Sequence, residues 1–285
     1  MIIDDDGNEL EELPLDPVLA KRAEHLEKLK EMLIKTIEAK RKNLALEKSN
    51  VKNFVNLGID GIEKIAYDMP RRNSIIILNG PFGSGMTIFA LKFLYHGITK
   101  ENENGIYISF DEGKESILNT AKVFGMDFYD LERQKKFIFL EYPYNELNHF
   151  DDKDSVIKDF IDTINAQRLV IDCITPFMIL HENEFVLRKR TKELFERLKS
   201  WNCTTFMIAE NLTIEEANRN PFVKLADGFI QFYFEKTGNK RKREIEITKL
   251  RGCRHSYETF EFEIDQKFGI KILGKENEKL VRRKR

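Results

Sequence analysis

A glycine-rich turn between an apolar segment and a helical segment constrains this chain more than any other feature. The turn reads Gly-Pro-Phe-Gly-Ser-Gly-Met-Thr and runs from Gly80 to Thr87. It follows the apolar run Ile75–Leu78 and precedes the stretch Ile88–Leu94, whose composition is typical of a helix. A strand, a glycine-rich turn and a helix in this order form a loop whose backbone N–H groups can hold phosphate. The order therefore predicts an α/β fold with a phosphate-binding loop.

The turn departs from the usual phosphate-binding pattern G-x-x-x-x-G-K-[ST] at one position. Gly80, Gly85 and Thr87 stand at the required spacing, but Met86 replaces the lysine. The backbone contribution to phosphate binding survives this change. The lysine charge that is lost would act about 4 Å from phosphate, where its interaction energy is on the order of 4 kcal/mol at an effective dielectric constant near 20. The sequence therefore predicts weakened phosphate binding and a larger loss of phosphoryl transfer. A glycine-rich turn that serves only as a connection is the alternative. The predicted phosphate-contacting residues are Gly80, Pro81, Phe82, Gly83, Ser84, Gly85, Met86, Thr87 and Ile88.

Beyond Val51, apolar runs alternate with amphipathic stretches, which predicts a mainly parallel sheet with helices on both faces. After Phe222 the pattern changes to strands joined by turns, which predicts an antiparallel extension of the sheet. We divide the chain into an acidic segment with an amphipathic helix (1–50), an α/β domain (51–274) and a basic tail (275–285). The predicted strands are Ser74–Leu78, Gly105–Ser109, Phe137–Glu141, Arg168–Asp172, Thr204–Ala209, Gly228–Glu235, Arg243–Leu250 and Phe260–Ile264, and the predicted helices cover 87–99, 115–124, 153–166 and 188–200.

The composition indicates a cytoplasmic protein with no global charge that would attract nucleic acid or membrane. Lysine and arginine together number 47, and aspartate and glutamate number 48. No apolar run approaches the roughly 18 residues of a membrane span, and the three cysteines show no metal-ligand spacing. The basic segments Lys240–Arg243 and Arg282–Arg285 are typical of solvated surface, with contact to nucleic acid as the alternative.

The segment from Pro17 to Ser49 has apolar residues at three-, four- and seven-residue spacing, which predicts an amphipathic helix. Such a helix either packs on its own domain or forms a coiled coil or partner-binding arm. The sequence leaves both interpretations open.

Acidic residues follow two of the predicted strands. Asp172 ends the strand Arg168–Asp172, where its carboxylate and the Thr87 hydroxyl could hold Mg²⁺. Asp111 and Glu112 follow the second strand, where a carboxylate could act as general base toward an attacking water. A turn-forming aspartate and a solvated acidic loop are the structural alternatives.

Two basic residues near the C-terminus are two positions apart. Lys249 and Arg251 would share one face of a strand, where they could clamp phosphates or form an ordinary basic edge.

The chain resembles the KaiC-like branch of the RecA superfamily, a group abundant in archaea, in these motifs and in their order along the sequence. The resemblance runs from about Leu57 to Leu273 and covers nearly everything beyond the N-terminal segment. Besides the glycine-rich loop, the segments that carry it are Leu57–Glu63, Tyr107–Glu112, Leu169–Pro176, Leu225–Gly228 and Lys249–Ser256.

The resemblance implies a RecA-like fold that binds ATP and Mg²⁺ at interfaces between subunits, often in hexameric rings. It implies that Asp111 and Glu112 supply the catalytic base, and that Lys249 and Arg251 reach the nucleotide of a neighbouring subunit. The chain departs from the family pattern at Met86, where lysine is usual, and at Asp111, where glutamate is usual. Whether ATP is hydrolysed is therefore left open.

Three functions remain for this chain at the level of sequence. The first is an ATP-binding oligomeric regulator with weak or absent hydrolysis. The second is a non-catalytic scaffold, with a further protein partner bound through the N-terminal helix. The third, an accessory ATPase in DNA recombination, follows from fold analogy alone.

Overall fold

The computed structural model describes residues 53–142, 156–179, 183–267 and 269–274, within the unit that begins at Asn53. The predicted N-terminal helix and the basic tail lie outside the described residues. Within these ranges no helix is long and apolar enough to cross a membrane.

The described strands form one mixed sheet in the order β3-β2-β4-β5-β1-β6-β7-β8-β9. Strands β1 to β6 pair in parallel, and β7, β8 and β9 continue the sheet antiparallel, so the predicted α/β architecture is confirmed. The strands are β1 (Ile75–Gly80), β2 (Asn104–Ser109), β3 (Phe137–Glu141), β4 (Ala166–Asp172), β5 (Thr204–Glu210), β6 (Gly228–Thr237), β7 (Lys240–Leu250), β8 (Phe260–Asp265) and β9 (Gly269–Ile272).

Helices connect the parallel strands, as the alternating pattern predicts. They are α1 (Met86–Lys100), α2 (Lys114–Val123), α3 (Phe128–Arg133), α4 (Val156–Ile164), α5 (Thr175–Ile179), α6 (Glu184–Ser200), α7 (Ile214–Arg219) and α8 (Pro221–Leu225), with a 3₁₀ turn at Ile62–Lys64. The prediction of helix through residue 166 was wrong, because Asn165 adopts a left-handed conformation and Ala166 begins β4. Sequence reasoning also missed β9 and the short helices α3, α5, α7 and α8.

The two faces of the sheet bury two apolar clusters. Ile76 and Leu78 of β1 point to the face covered by α1, and Ile75 and Ile77 point to the face covered by α4 and α6. All six residues of β1 are buried, which is typical of a central parallel strand. The carboxyl ends of the parallel strands consequently meet at one edge of a sheet that is covered on both sides.

A buried arginine joins α1 to the sheet. The Arg168 side chain on β4 is fully buried, and its Nε donates a 2.7 Å hydrogen bond to Glu103 Oε2. Its other nitrogens donate to the carbonyl oxygens of Phe93 and Asn56, at 2.7 and 2.8 Å. A Cβ at Gly97 would lie 2.1 Å from Arg168 Nε, so only glycine allows α1 to approach this closely.

We expect Arg168→Leu to lower the free energy of unfolding by about 3–5 kcal/mol, because it removes one of the two arginines that pair with the buried Glu103 carboxylate and the donor to two carbonyl oxygens. Urea denaturation followed by circular dichroism measures the change. Arg219→Leu is the control, since Arg219 is exposed on α7 where it pairs with Glu215, and it should shift stability by less than about 1 kcal/mol. Equal stability of the two variants would contradict the structural role of Arg168.

Candidate functional site

A cavity of about 560 Å³ opens at the carboxyl edge of the sheet, above the glycine-rich loop. The loop, the start of α1, one face of α2 and the ends of β5 and β8 surround it. The described residues that line it are Pro81, Phe82, Gly83, Ser84, Gly85, Met86, Thr87, Ile88, Glu112, Ile117, Thr120, Phe124, Ile208, Glu210, Arg243 and Ile264. Eight of the nine predicted loop residues are in this set, whereas Gly80 lies beneath them as the last residue of β1.

The loop presents the start of α1 to the cavity without a side-chain cap. Gly85 precedes the helix with φ of 104°, a conformation that favours glycine, and no side chain caps the helix there. The first turn contains no acidic residue. The N–H groups of the first turn of a helix have no partner within it, and the helix dipole places about half a positive charge at this end. These backbone groups can therefore bind an anion such as phosphate.

Met86 occupies the position at which the loop pattern has lysine. Its side chain is only 7% exposed and belongs to the apolar cluster on the α1 face of the sheet. The thioether therefore forms part of the core as well as the cavity wall. It adds no positive charge at the first turn of α1.

Thr87 and Asp172 lie next to each other behind the loop. Thr87 Oγ1 donates a 3.3 Å hydrogen bond to Asp172 Oδ2, which also accepts a hydrogen bond from the buried Tyr107 hydroxyl. Burial raises the pKa of Asp172 to about 6, and the Glu112 and Glu210 carboxylates add to this, while the bonds from Tyr107 and Thr87 oppose it. A carboxylate and a hydroxyl are hard oxygen ligands that suit Mg²⁺.

These two oxygens do not form a complete metal cage. Within the described ranges, no group of three or more His, Cys, Asp or Glu side chains is arranged to hold a metal ion. Mg²⁺ sites at nucleotides commonly use one or two protein oxygens, with phosphate and water completing the coordination. The donor set thus fits an ion that is bound together with a phosphate ligand.

The two acidic residues after β2 differ in their positions. Glu112 lines the cavity, and its Oε2 accepts a 3.1 Å hydrogen bond from Ser116 Oγ. Asp111 is exposed and does not line the cavity; its Oδ2 accepts a 3.4 Å hydrogen bond from the Cys173 thiol. Of the predicted pair, only Glu112 is therefore placed to act on a group in the cavity.

Lys249 and Arg251 lie away from the cavity in their own chain. Lys249 Nζ donates hydrogen bonds to the carbonyl oxygens of Val223 and Lys224, and Arg251 donates to those of Lys224 and Leu225. Arg251 lies just beyond β7, in the turn that follows it. Both side chains nevertheless point the same way, toward the C-terminal end of α8.

The structure adds two charged residues to the site that sequence reasoning missed. Glu210 is the last residue of β5 and lies opposite Gly80 of β1. Arg243 of β7 donates from Nε to the Gly83 carbonyl oxygen at 3.0 Å and stacks 4.5 Å from the centre of the Phe234 ring.

Arg243 belongs to the basic segment Lys240–Arg243, and the structure places its partly buried side chain at the cavity wall. Arg243 alternates in phase with the buried Ile245 and Ile247 of β7, and this period-two pattern could have placed it on the inner face. Glu210 could have been found from the sequence because it follows the apolar run that ends at Ala209, two residues after the buried Ile208, at the end of a parallel strand.

Comparisons with known proteins agree with this geometry. The sequence model of the family described as "ATPase: KaiC" matches residues 55–277. A UPF0273 protein of Methanocaldococcus jannaschii is 30% identical over 227 residues, and the match covers 74% of this chain and 92% of that protein. A solved KaiC-like protein from the archaeon Pyrococcus horikoshii superposes with a TM-score of 0.67 at 26% identity, covering 78% of this chain and 99% of that one.

A circadian clock oscillator protein KaiC of Parathermosynechococcus lividus is 33% identical over 227 residues. The match covers 76% of this chain but only 41% of that relative. This chain therefore corresponds to less than half of the larger protein.

We expect the folded protein, without metal, to lose up to about 3 kcal/mol of stability as pH rises from about 4 to about 6. The pKa of Asp172 is raised from 3.8 to about 6, so the native state holds a proton that the unfolded state releases. Asp172→Asn should remove this part of the pH dependence in urea denaturation at a series of pH values. Asp162→Asn, on the exposed face of α4, is the control and should keep it. An unchanged profile in Asp172→Asn would contradict the raised pKa.

Proposed function

Because the chain belongs to the KaiC family of ATPases, we propose that its cavity binds ATP with Mg²⁺ and that the protein is an oligomeric regulator with weak or absent hydrolysis. The observation that carries this proposal is the uncapped start of α1, which faces a cavity beside the bonded pair Thr87 and Asp172. A glycine loop, a free helix end and hard oxygen ligands together suit a nucleotide phosphate chain.

Phosphate binding rests on the backbone of the loop. The N–H groups from Gly83 to Thr87 would surround the β- and γ-phosphates, as in other loops of this geometry. The Thr87 hydroxyl and the Asp172 carboxylate would hold Mg²⁺, the carboxylate directly or through water. Mg²⁺ there would neutralise charge on the phosphates.

The opposite part of the cavity wall suits a nucleoside. Ile117 of α2, Phe124 just after α2 and Ile264 of β8 present apolar surface, and the Phe82 ring is 71% exposed at the loop. Aromatic rings and the flat guanidinium of Arg243 are groups on which a purine base stacks well. A nucleoside bound on this apolar surface would leave the phosphates as the part of the ligand at the sheet edge.

For turnover, Glu112 is the group in the cavity that could accept a proton from an attacking water. The transferred phosphoryl group gains stability mainly from nearby positive charge, and Met86 supplies none. We therefore propose that binding persists while hydrolysis is slow. A nucleotide sensor without turnover is the second candidate, and the burial of Met86 in the core is the observation that favours it.

Oligomerisation would complete the site from a neighbouring copy. Lys249 and Arg251 lie outside the cavity of their own chain and are held at the end of α8. In a ring they could contact the phosphates bound by the next subunit, in the manner the family resemblance implies. This arrangement would make assembly depend on nucleotide.

Met86→Lys is expected to strengthen binding of Mg-ATP by about tenfold or more and to raise any phosphate release, because it restores the missing positive charge. Calorimetric titration and a phosphate-release assay measure the two effects. Met86→Gln is the control, since it adds polarity at similar length without charge, and it should do neither. If neither the wild type nor Met86→Lys binds ATP at millimolar concentration, the proposed function is rejected.

Mass measured by light scattering after size exclusion is expected to increase with Mg-ATP and to increase less in Arg251→Ala, which removes a contact to the neighbour's phosphates. Lys122→Ala, an exposed residue of α2, is the control and should behave as the wild type. A mass that does not respond to Mg-ATP in the wild type would contradict nucleotide-dependent assembly.

A further inference from the structure

We propose that this cavity binds a nucleoside triphosphate far more tightly as its complex with a divalent cation than without the cation, and that Met86 and Glu210 impose this selectivity. The inference rests on the proposed function, since it specifies the form in which the ligand binds. The proposed selectivity depends on the balance of charge around the cavity.

The cavity wall carries more negative than positive side chains. Glu112 and Glu210 line it, and Arg243 is the one basic side chain among the described residues that do so. Asp172 lies just behind the wall, against Thr87. The loop itself contributes only the partial charge of the start of α1, about half an elementary charge.

The carboxylates are close enough to act on one another. Glu210 ends β5 opposite Gly80, and its N–H donates a 2.9 Å hydrogen bond to Thr175 Oγ1, which holds the strand end in place. Burial raises the pKa of Glu210, and the charges of Asp111 and Glu112 raise it further. A free triphosphate that enters beside these groups would meet repulsion at the edge of the sheet.

Arg243 does not replace the missing lysine in position. Its Nε is bonded to the Gly83 carbonyl oxygen and its guanidinium stacks on Phe234, so its charge is held at the outer part of the loop. The lysine of the usual pattern would stand at the first helical residue, where Met86 lies in the core instead. Among the residues that the structure describes, none therefore places a side-chain cation at the inner end of the phosphate site.

A divalent cation bound to the triphosphate supplies this charge. The oxygens of Thr87 and Asp172 can contribute to its coordination, but the described residues provide no full set of protein ligands. Mg²⁺ usually keeps water and phosphate ligands at such sites. The cation is thus expected to arrive with the nucleotide, and the protein to recognise the complex.

The test is calorimetric titration of ATP into the full chain, once with excess Mg²⁺ and once with EDTA. The wild type is expected to bind ATP on the order of a hundredfold more weakly in EDTA. Met86→Lys adds a positive charge and Glu210→Gln removes a negative one. Each should lower the ratio of the ATP affinity in Mg²⁺ to the ATP affinity in EDTA by about tenfold. Glu196→Gln makes the same change of charge on the exposed face of α6 and should leave the ratio unchanged.

Met86→Lys places an amine at a mostly buried position, so this variant is sensitive to folding defects. Glu210→Gln keeps the test independent of folding, because glutamine has nearly the same size as glutamate. All four proteins are compared at one concentration and one oligomeric mass, because a neighbouring copy can add cations to the site. Similar affinity of the wild type with and without Mg²⁺, or an unchanged ratio in both cavity variants, would overturn the proposal. Absence of ATP binding in both conditions would instead reject the proposed function itself.

Discussion

The parallel pairing of β1 between β5 and β6 is the constraint on which the rest of the site depends. Every residue of β1 is buried, so a shift in register would disrupt the packing of its apolar side chains in the clusters on both faces. Gly80 is consequently fixed opposite Glu210, and the loop that follows must turn directly into α1. The same sheet edge receives Asp172 from β4 and Glu112 from the turn after β2. The fold thus brings the chemistry-bearing residues together before any ligand is considered.

Electrostatics separates this site from a phosphate-binding loop of the usual pattern. The geometry of the backbone is present, with an uncapped helix end and a glycine at positive φ. The positive side chain at the first helical residue is replaced by a buried thioether, while the surrounding carboxylates remain. A loop can therefore keep the shape needed for binding while losing the charge that promotes catalysis. Shape and charge are encoded by different residues and can change independently.

Much of the fold followed from the sequence because the buried parallel strands are continuous apolar runs and the glycine spacing is specific. The loop, Thr87 and Asp172 were likewise found together, since the carboxyl ends of neighbouring parallel strands must meet. Arg243 was missed because its neighbours in sequence are charged, although its alternation with the buried Ile245 and Ile247 places it on the inner face of β7. β9 was missed because four residues give too short a pattern. The placements of Lys249 and Arg251 depend on α8, a five-residue helix with no periodic signal.

The burial of Arg168 has a mechanical consequence for α1. Its guanidinium holds the Phe93 carbonyl oxygen and lies against Gly97, so the second half of the helix is clamped to β4. The first turn, at Met86 and Thr87, is remote from this clamp along the helix axis. Sliding or rotation of α1 as a rigid rod would have to break the buried hydrogen bond from Arg168 to the Phe93 carbonyl oxygen. We therefore expect motion that a ligand induces at the loop to involve the loop and the β6–β7 hairpin, which is joined to the loop by the hydrogen bond from Arg243 to Gly83.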